Sequence, residues 1–545
     1  MPIILEVPDS YQEFRASGAW LGKTLHACID EWAASQPGSE AVVSPRARLT
    51  YSALAERSRQ LAAGFQEIGI GRGDVVSLLI PNLVEFSLIH VALSRLGAVI
   101  NPLYLAFRER EVTQFVNLAE SKVIIAAPSY GGFDYAGMLR TLRPRLPSVE
   151  HLVAVGAALG QATPAGFLDL RQVIERGGRA ADFPDPPVSA AEPFSLFFTS
   201  GSTGEPKGVV HLHDAPLSNA AHLMRAWASD TSEVILGQAP YGFAFGAYIA
   251  YCSLVAGAKL VVLEAFTPEA YARLVQEERV TYTFGGPTQV HMVLEQRLQE
   301  RYDFSSLRKY LIGGTISPPE LIREAAAKLE CYPIALWGMT ETYGGLHTSF
   351  GDPPEFAATS VGRPAFGNEI MIADDRGAEL PPGEVGELLC RGAILFHSYH
   401  QRPDLTRASF SSTARGDGWF HTGDLACLDR AGNVRIVSRL KDMINRGGAK
   451  VYPAEVETLL SRHPRIAQAA MVGMPDERLG ERACLFVTTR DAAPLGLDEV
   501  VAFLRAQRIA SYKLPERLEV IDRMPLNPAA KLDKQALRAR LLPPT

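Results

Sequence analysis

Two apolar rhythms alternate between residues 74 and 127, and this alternation constrains the fold more than any other feature of the chain. Residues 74–80 (DVVSLLI) form a continuous apolar run of strand length. Pro81 and Asn82 break it, and Asn82 is placed to cap a helix. Phe86, Ile89, Leu93 and Leu96 then recur at helical spacing, and Gly97 closes the helix. Residues 99–103 resume an extended run, 109–120 read as helix, and 122–127 (KVIIAA) read as strand. Strands separated by helices build βαβ units with mostly parallel sheets.

The same alternation returns at 258–284. From about Ala365 it gives way to short strands with turns between them, such as Pro381-Pro382-Gly383, which predicts a β-rich subdomain. Beyond residues 439–442 (RLKD) the pattern changes again. Pro453 opens a helix, and strands at 467–472, 484–489 and 517–520 surround a second helix at 497–507, a small α+β unit. The stretch 156–187, rich in Ala, Gly and Pro, reads as a loosely specified connection. The expected fold class is α/β, with a large N-terminal domain of βαβ subdomains plus a β-rich subdomain and a small C-terminal α+β domain.

At 545 residues the chain is too long for one ordinary domain. A net charge of −6, without blocks of like charge, argues against nucleic acid or an anionic membrane as main partner. The six cysteines form no C-x-x-C pair, which fits a reducing compartment. Neither a signal-peptide pattern nor an apolar run of about 18 residues is apparent, so no membrane span is expected and a cytoplasmic location is.

Residues 199–208 read TSGSTGEPKG and come directly after the apolar run 194–198. Gly201, Gly204 and Gly208 let the backbone turn its N–H groups toward one point. Thr199, Ser200, Ser202 and Thr203 add hydroxyls, and Lys207 adds a charge. Such a loop suits a polyphosphate, although Pro206 stands where the Walker A pattern needs glycine. A flexible connector is the alternative, but a linker needs neither the hydroxyls nor the lysine directly after a buried strand.

This segment resembles the phosphate-loop signature of the adenylate-forming superfamily: acyl-CoA synthetases, peptide-synthetase adenylation domains and luciferases. The resemblance extends from about Thr24 to Leu537. It implies an N-terminal adenylation domain at 1–438, a hinge at 439–442 and a mobile C-terminal domain at 443–545. In the same frame, residues 336–342 (LWGMTET) are similar to the Y-G-x-T-E motif. The resemblance implies that Trp337, here replacing tyrosine, lies against adenine, that Thr340 bonds the α-phosphate, and that Glu341 holds Mg2+. Gly313 and Gly314 would border the adenine and the acyl pocket, although a Gly-Gly pair alone also reads as a plain turn. For residues 419–424 (WFHTGD) the resemblance implies that Asp424 accepts from the ribose hydroxyls, with a surface-turn aspartate as the alternative, and that Arg439 lies beside ribose or phosphate, with Ser438 where the family usually has glycine.

Lys441 matches the hinge. Lys531, in PLNPAAK with Ala530 where glycine is common, matches the catalytic lysine of adenylation. Gly447 and Gly448 match the segment beside the pantetheine tunnel, with a simple hairpin turn as alternative. His211 and His213 form H-x-H; packing or a supporting role is favoured over zinc, since no third ligand lies nearby.

Residues 240–246 (PYGFAFG) resemble the aromatic-rich segment of benzoate-type ligases. Phe243, Ala244 and Phe245 would line a short apolar acyl pocket, with Gly338, Met339, Tyr343, Gly344 and Gly345 on its other wall; aromatic packing in the core is the alternative. Amino-acid-activating relatives carry an aspartate in this segment, and none occurs here. The expectation is ATP-dependent activation of a small hydrophobic acid (aromatic or alicyclic first, medium-chain fatty second) with free coenzyme A as acceptor. The alternatives are a stand-alone ligase that loads a carrier protein and a non-catalytic nucleotide-binding protein. ATP, Mg2+, coenzyme A and the carboxylic acid are the expected small-molecule partners, and a homodimer is left open.

Overall fold

A computed structural model describes residues 3, 11–178, 183–200, 206–476, 478–491, 493–526 and 532–541. The chain divides into two units, Met1–Glu369 with Arg391–Ser409, and Ile370–Cys390 with Phe410–Thr545. It is a mixed α/β protein with several sheets in the larger unit, as the alternating pattern predicts.

The larger unit is built on two extended sheets. In one, the central strands Val99–Pro102, Val75–Leu79, Val123–Ala126 and His151–Ala154 run parallel. All five residues of Val75–Leu79 are buried, the signature of a parallel strand covered on both faces. Pro193–Ser200 lies parallel beside Val99–Pro102, and Pro206–Leu212 returns antiparallel against it with Ser398–Tyr399 at the edge. In the other sheet, Tyr332–Trp337, Lys309–Gly313, Tyr282–Gly285, Val234–Gly237, Lys259–Val262 and Glu40–Val43 form a parallel array. Helices such as Val84–Leu96 and Ala244–Val255 are buried on nearly every face and fill the core with Phe86, Ile89, Tyr248 and Tyr251.

Two local expectations change. The Val84–Leu96 helix takes Leu83 as its N-cap, with no side-chain cap bond, because the Asn82 carboxamide is engaged elsewhere in the fold. Within the stretch 156–187, the described residues 156–178 are more regular than their composition suggests. They carry the strand Leu168–Asp169 and the helix Leu170–Arg176, capped by Asp169, with Val173 in the core.

In the smaller unit the strand Gly416–Leu428 pairs antiparallel with Val434–Arg439, and Pro453 stands at the first helical position of Pro453–Leu460. Ile466–Asp476 and Gly480–Thr489 form a long antiparallel pair, and Arg517–Val520 adds a parallel strand. Among the described residues, no helix is long and apolar enough to cross a membrane.

Candidate active site

The segment after Tyr332–Trp337 is a tight turn. A side-chain carbon on Gly338 would sit 1.5 Å from the Tyr343 carbonyl oxygen, so only glycine lets the turn close. Tyr343 takes the left-handed conformation at φ 47, an uncommon one for a bulky residue. Its ring is fixed among His211 at 4.5 Å and Tyr248 at 5.1 Å, and its hydroxyl lies 3.3 Å from that of Ser195. The Met339 N–H donates to the Thr342 hydroxyl at 3.1 Å, and Asn219 donates to the Gly344 carbonyl at 3.1 Å. Trp337 is buried at the end of its strand, and Gly313 is in register with its neighbour Leu336. Gly314 comes next, in an exposed turn.

Thr340 and Glu341 sit at the centre of this turn, each held by a residue from the other sheet. His211 donates its Nε2–H to the Thr340 carbonyl at 2.7 Å. A carbonyl can only accept, so that nitrogen carries the proton. Burial pushes the His211 imidazole down to about 4, so the ring is neutral at ordinary pH. Glu341 is buried. Its carbonyl accepts from the Phe396 N–H at 2.8 Å, and its carboxylate accepts from the Tyr399 hydroxyl at 2.9 Å. Burial, reinforced by that carboxylate, drives the Tyr399 phenol well above its ordinary range and keeps it a donor. The Lys207 ammonium stands 5.0 Å from the centre of the Tyr399 ring, and Lys207 is directly opposite Thr199 across the Pro193–Ser200 and Pro206–Leu212 pair. A lysine, a hydroxyl, a neutral imidazole and a carboxylate therefore occupy one neighbourhood. Gly201, Ser202, Thr203 and Gly204, together with the Ser200 side chain, lie outside the described residues.

Phe243 caps the N-terminus of the Ala244–Val255 helix, and its ring lies 4.6 Å from that of Tyr104. Ala244 is buried, whereas Phe243 and Phe245 are partly exposed. Through Tyr248 and Tyr251 the same helix packs on Tyr343, which joins the 240–246 segment to the motif turn.

In the smaller unit Asp424 is buried and ion-paired with Arg439 at 2.7 Å. Lys441 is exposed in the short helical turn Leu440–Asp442. Gly447 (φ 59) and Gly448 (φ 89) form the turn of the Ile444–Arg446 and Ala449–Val451 hairpin, where two successive positive φ angles favour glycine. Lys531 lies outside the described residues. Among the described residues, no group of three or more His, Cys, Asp or Glu side chains is arranged to hold a metal ion.

The profile of the AMP-binding enzyme family matches residues 29–400, and that of the AMP-binding enzyme C-terminal domain matches 455–531. The chain belongs to the AMP-binding enzyme family. This AMP-binding enzyme is 33% identical over 539 residues to the 2,3-dihydroxybenzoate-AMP ligase of Bacillus subtilis (strain 168), a match covering 97% of this chain and 96% of that protein. It is also 33% identical over 538 residues to the medium-chain fatty-acid–CoA ligase of Escherichia coli (strain K12), covering 97% and 92%. Its fold matches the crystal structure of the anthranilate CoA ligase AuaEII in complex with anthranoyl-AMP, with a TM-score of 0.84, 22% identity and coverage of 96% and 98%. Within the AMP-binding enzyme, Tyr399 is a neighbour of Glu341 and Lys207 that no sequence motif marks. The H-x-H pair singles out His211 but does not point to its partner, Thr340.

Proposed function

We propose that this AMP-binding enzyme is an ATP-dependent acid–CoA ligase for a small hydrophobic carboxylic acid. The observation that carries the reading is the pairing of the Thr340–Glu341 turn, with its buried Glu341 bonded to the tyrosine that faces Lys207, with an apolar helix entrance at Phe243 and Ala244. The first suits a nucleotide phosphate and the second an uncharged organic tail. The similarity to acid-activating ligases in two relatives supports the same reaction class.

In the first step a carboxylate oxygen of the acid attacks the α-phosphorus of ATP. The bond to the bridging oxygen breaks, and pyrophosphate leaves. Lys207 and the hydroxyl-rich loop hold the leaving phosphates, Thr340 orients the α-phosphate, and Lys531 draws the two anions together. Asp424 accepts from the ribose hydroxyls beside Arg439, and Trp337, Gly313 and Gly314 border the adenine. Glu341 fits Mg2+: its buried carboxylate is fixed by a neutral phenol, and this cation is ordinarily held by one or two carboxylates plus substrate phosphates. When bound, Mg2+ supplies charge neutralisation at the phosphates. In the second step the thiol of coenzyme A attacks the acyl carbon and AMP departs. We assign the pivot between the steps to Lys441, the moving part to residues 443–545, and the thiol-side contact to Gly448.

A second reading, a ligase that loads a separate carrier protein, is kept because one relative is named an AMP ligase and not a CoA ligase. One experiment tests both. Benzoate, cyclohexane carboxylate, cinnamate and C4–C12 fatty acids are scored for AMP formation with coenzyme A, and again with a carrier protein in its place. AMP formation that needs coenzyme A and prefers one of these acids is expected. Turnover with the carrier alone selects the second reading, and absence of acid-dependent pyrophosphate release from every acid overturns both.

A further inference from the structure

Asn82 stands just beyond the C-terminal end of Val75–Leu79 in one sheet, and its side chain bonds to backbone of the other sheet. Its Nδ2 donates to the Ala239 carbonyl at 3.1 Å and to the Leu263 carbonyl at 3.1 Å, and its Oδ1 accepts from the Tyr241 N–H at 2.8 Å. Ala239 and Leu263 lie just past the C-terminal ends of the neighbouring parallel strands Val234–Gly237 and Lys259–Val262. In parallel sheets this edge is where ligands bind. Two carbonyls and one N–H around one buried carboxamide fix its orientation and match the donor and acceptor set of asparagine. Aspartate would bring an anion against two carbonyl oxygens, and leucine would leave all three backbone groups without this partner.

Two of the three contacts, to Ala239 and Tyr241, bracket Pro240, the first residue of the 240–246 segment, and the third ties Asn82 to the end of the neighbouring strand at Leu263. Downstream, the segment is pressed against the stretch after Val99–Pro102. A side-chain carbon on Gly242 would meet the Leu103 carbonyl oxygen and the Tyr104 backbone at 2.8 Å, and Phe243 lies on the Tyr104 ring. Tyr241 packs on Phe86 at 4.7 Å. Both supports come from the sheet whose next strand, Pro193–Ser200, leads into the phosphate loop.

We propose that Asn82 is a positioning residue for the acid: it fixes the start of the 240–246 wall against the sheet that holds Val75–Leu79 and Pro193–Ser200, and so sets acid selectivity without touching the acid. This rests on the reading of 240–246 as the acid-binding wall. The test is acid-dependent pyrophosphate exchange over the acid panel, with KM measured separately for acid and for ATP. Asn82→Ala is expected to raise KM for the preferred acid about tenfold and to compress the preference among acids, with KM for ATP within about twofold. Asn82→Asp keeps the acceptor for Tyr241 and reverses the other two contacts, and it is expected to give the same split. An unchanged acid KM and ranking in either folded variant, or a KM for ATP that rises with that for acid, overturns the proposal. Failure of both variants to fold makes Asn82 a purely structural residue and also overturns it. Phe243→Ala separates the two ideas. It is expected to shift preference toward bulkier acids, and combined with Asn82→Ala its effect is expected to be non-additive. An unchanged ranking in Phe243→Ala removes the acid-wall reading and this proposal with it. A shifted ranking with silent Asn82 variants overturns the role of Asn82 alone.

Discussion

The hydroxyl of Tyr399 donates a 2.9 Å hydrogen bond to the carboxylate of Glu341, and the strand carrying Tyr399 pairs with the strand that begins beside Lys207. One phenol thus touches the carboxylate and offers its ring to the lysine. Tyr399→Phe deletes a single atom and leaves the ring in place. A hydrogen bond to a charged group contributes about 1.5–3 kcal/mol, so acid-dependent pyrophosphate exchange at limiting Mg2+ should fall roughly 10- to 100-fold. The fall should shrink as Mg2+ rises, because a less well-oriented carboxylate weakens cation binding. Exchange rates equal to the parent protein at every Mg2+ concentration would remove Tyr399 from the site.

Buried histidines make the larger unit sensitive to acid. Burial lowers the His26 and His211 imidazoles to about 4 and that of His90 to about 3, and it pushes His213 down as well. In the unfolded chain each titrates near 6.5. Between these values the unfolded state binds more protons than the folded state, so stability falls as pH drops from about 6.5 toward 4. The slope approaches about 1.4 kcal/mol per pH unit for each histidine. Glu278, held down to about 2 by its hydrogen bond to Arg48, begins to lose its own contribution only as pH falls toward its unfolded value of about 4.3, so it adds to the decline at the low end of this window and not near pH 6. The apparent melting temperature of the full chain, followed from pH 7.5 to 4.5, should decline steeply. His90→Phe, whose ring would sit among Phe86, Phe194 and Tyr251, should flatten the decline. A pH-independent melting temperature would contradict the neutral state assigned to these rings.

The parts of the fold legible in the sequence are those set by local chemistry. The run of buried valines and leucines at Val75–Leu79, the left-handed Gly97 and the Pro453 helix start each depend on residues next to one another. The Gly447-Gly448 turn is readable as a hairpin for the same reason. The hidden parts depend on which strands become neighbours. His211 meets Thr340 across 129 residues and Asn82 meets Leu263 across 181, distances that no periodicity reports. The position of Asn82 suits a helix cap, and tertiary contacts take its carboxamide instead. The Leu170–Arg176 helix is masked by its Gly- and Pro-rich surroundings, although Asp169 with Leu170 and Val173 carries a cap and an apolar face.

The assignment of Lys531 rests on sequence resemblance, and splitting the reaction into halves tests it. A lysine that bridges the carboxylate and the α-phosphate acts only while the adenylate forms. Preorganised charge of this kind ordinarily contributes about 100- to 1,000-fold to a rate. Lys531→Ala should therefore lower acid-dependent pyrophosphate release by that factor. It should still pass an acyl group from a supplied acyl-adenylate to coenzyme A at a rate near that of the parent protein. The two half-reactions are read separately, the first as pyrophosphate and the second as thioester in the absence of ATP. Equal losses in both halves would mean that the lysine supports the C-terminal domain as a whole rather than the first step. No loss in either would place the adenylation charge elsewhere, with Lys207 the first residue to examine.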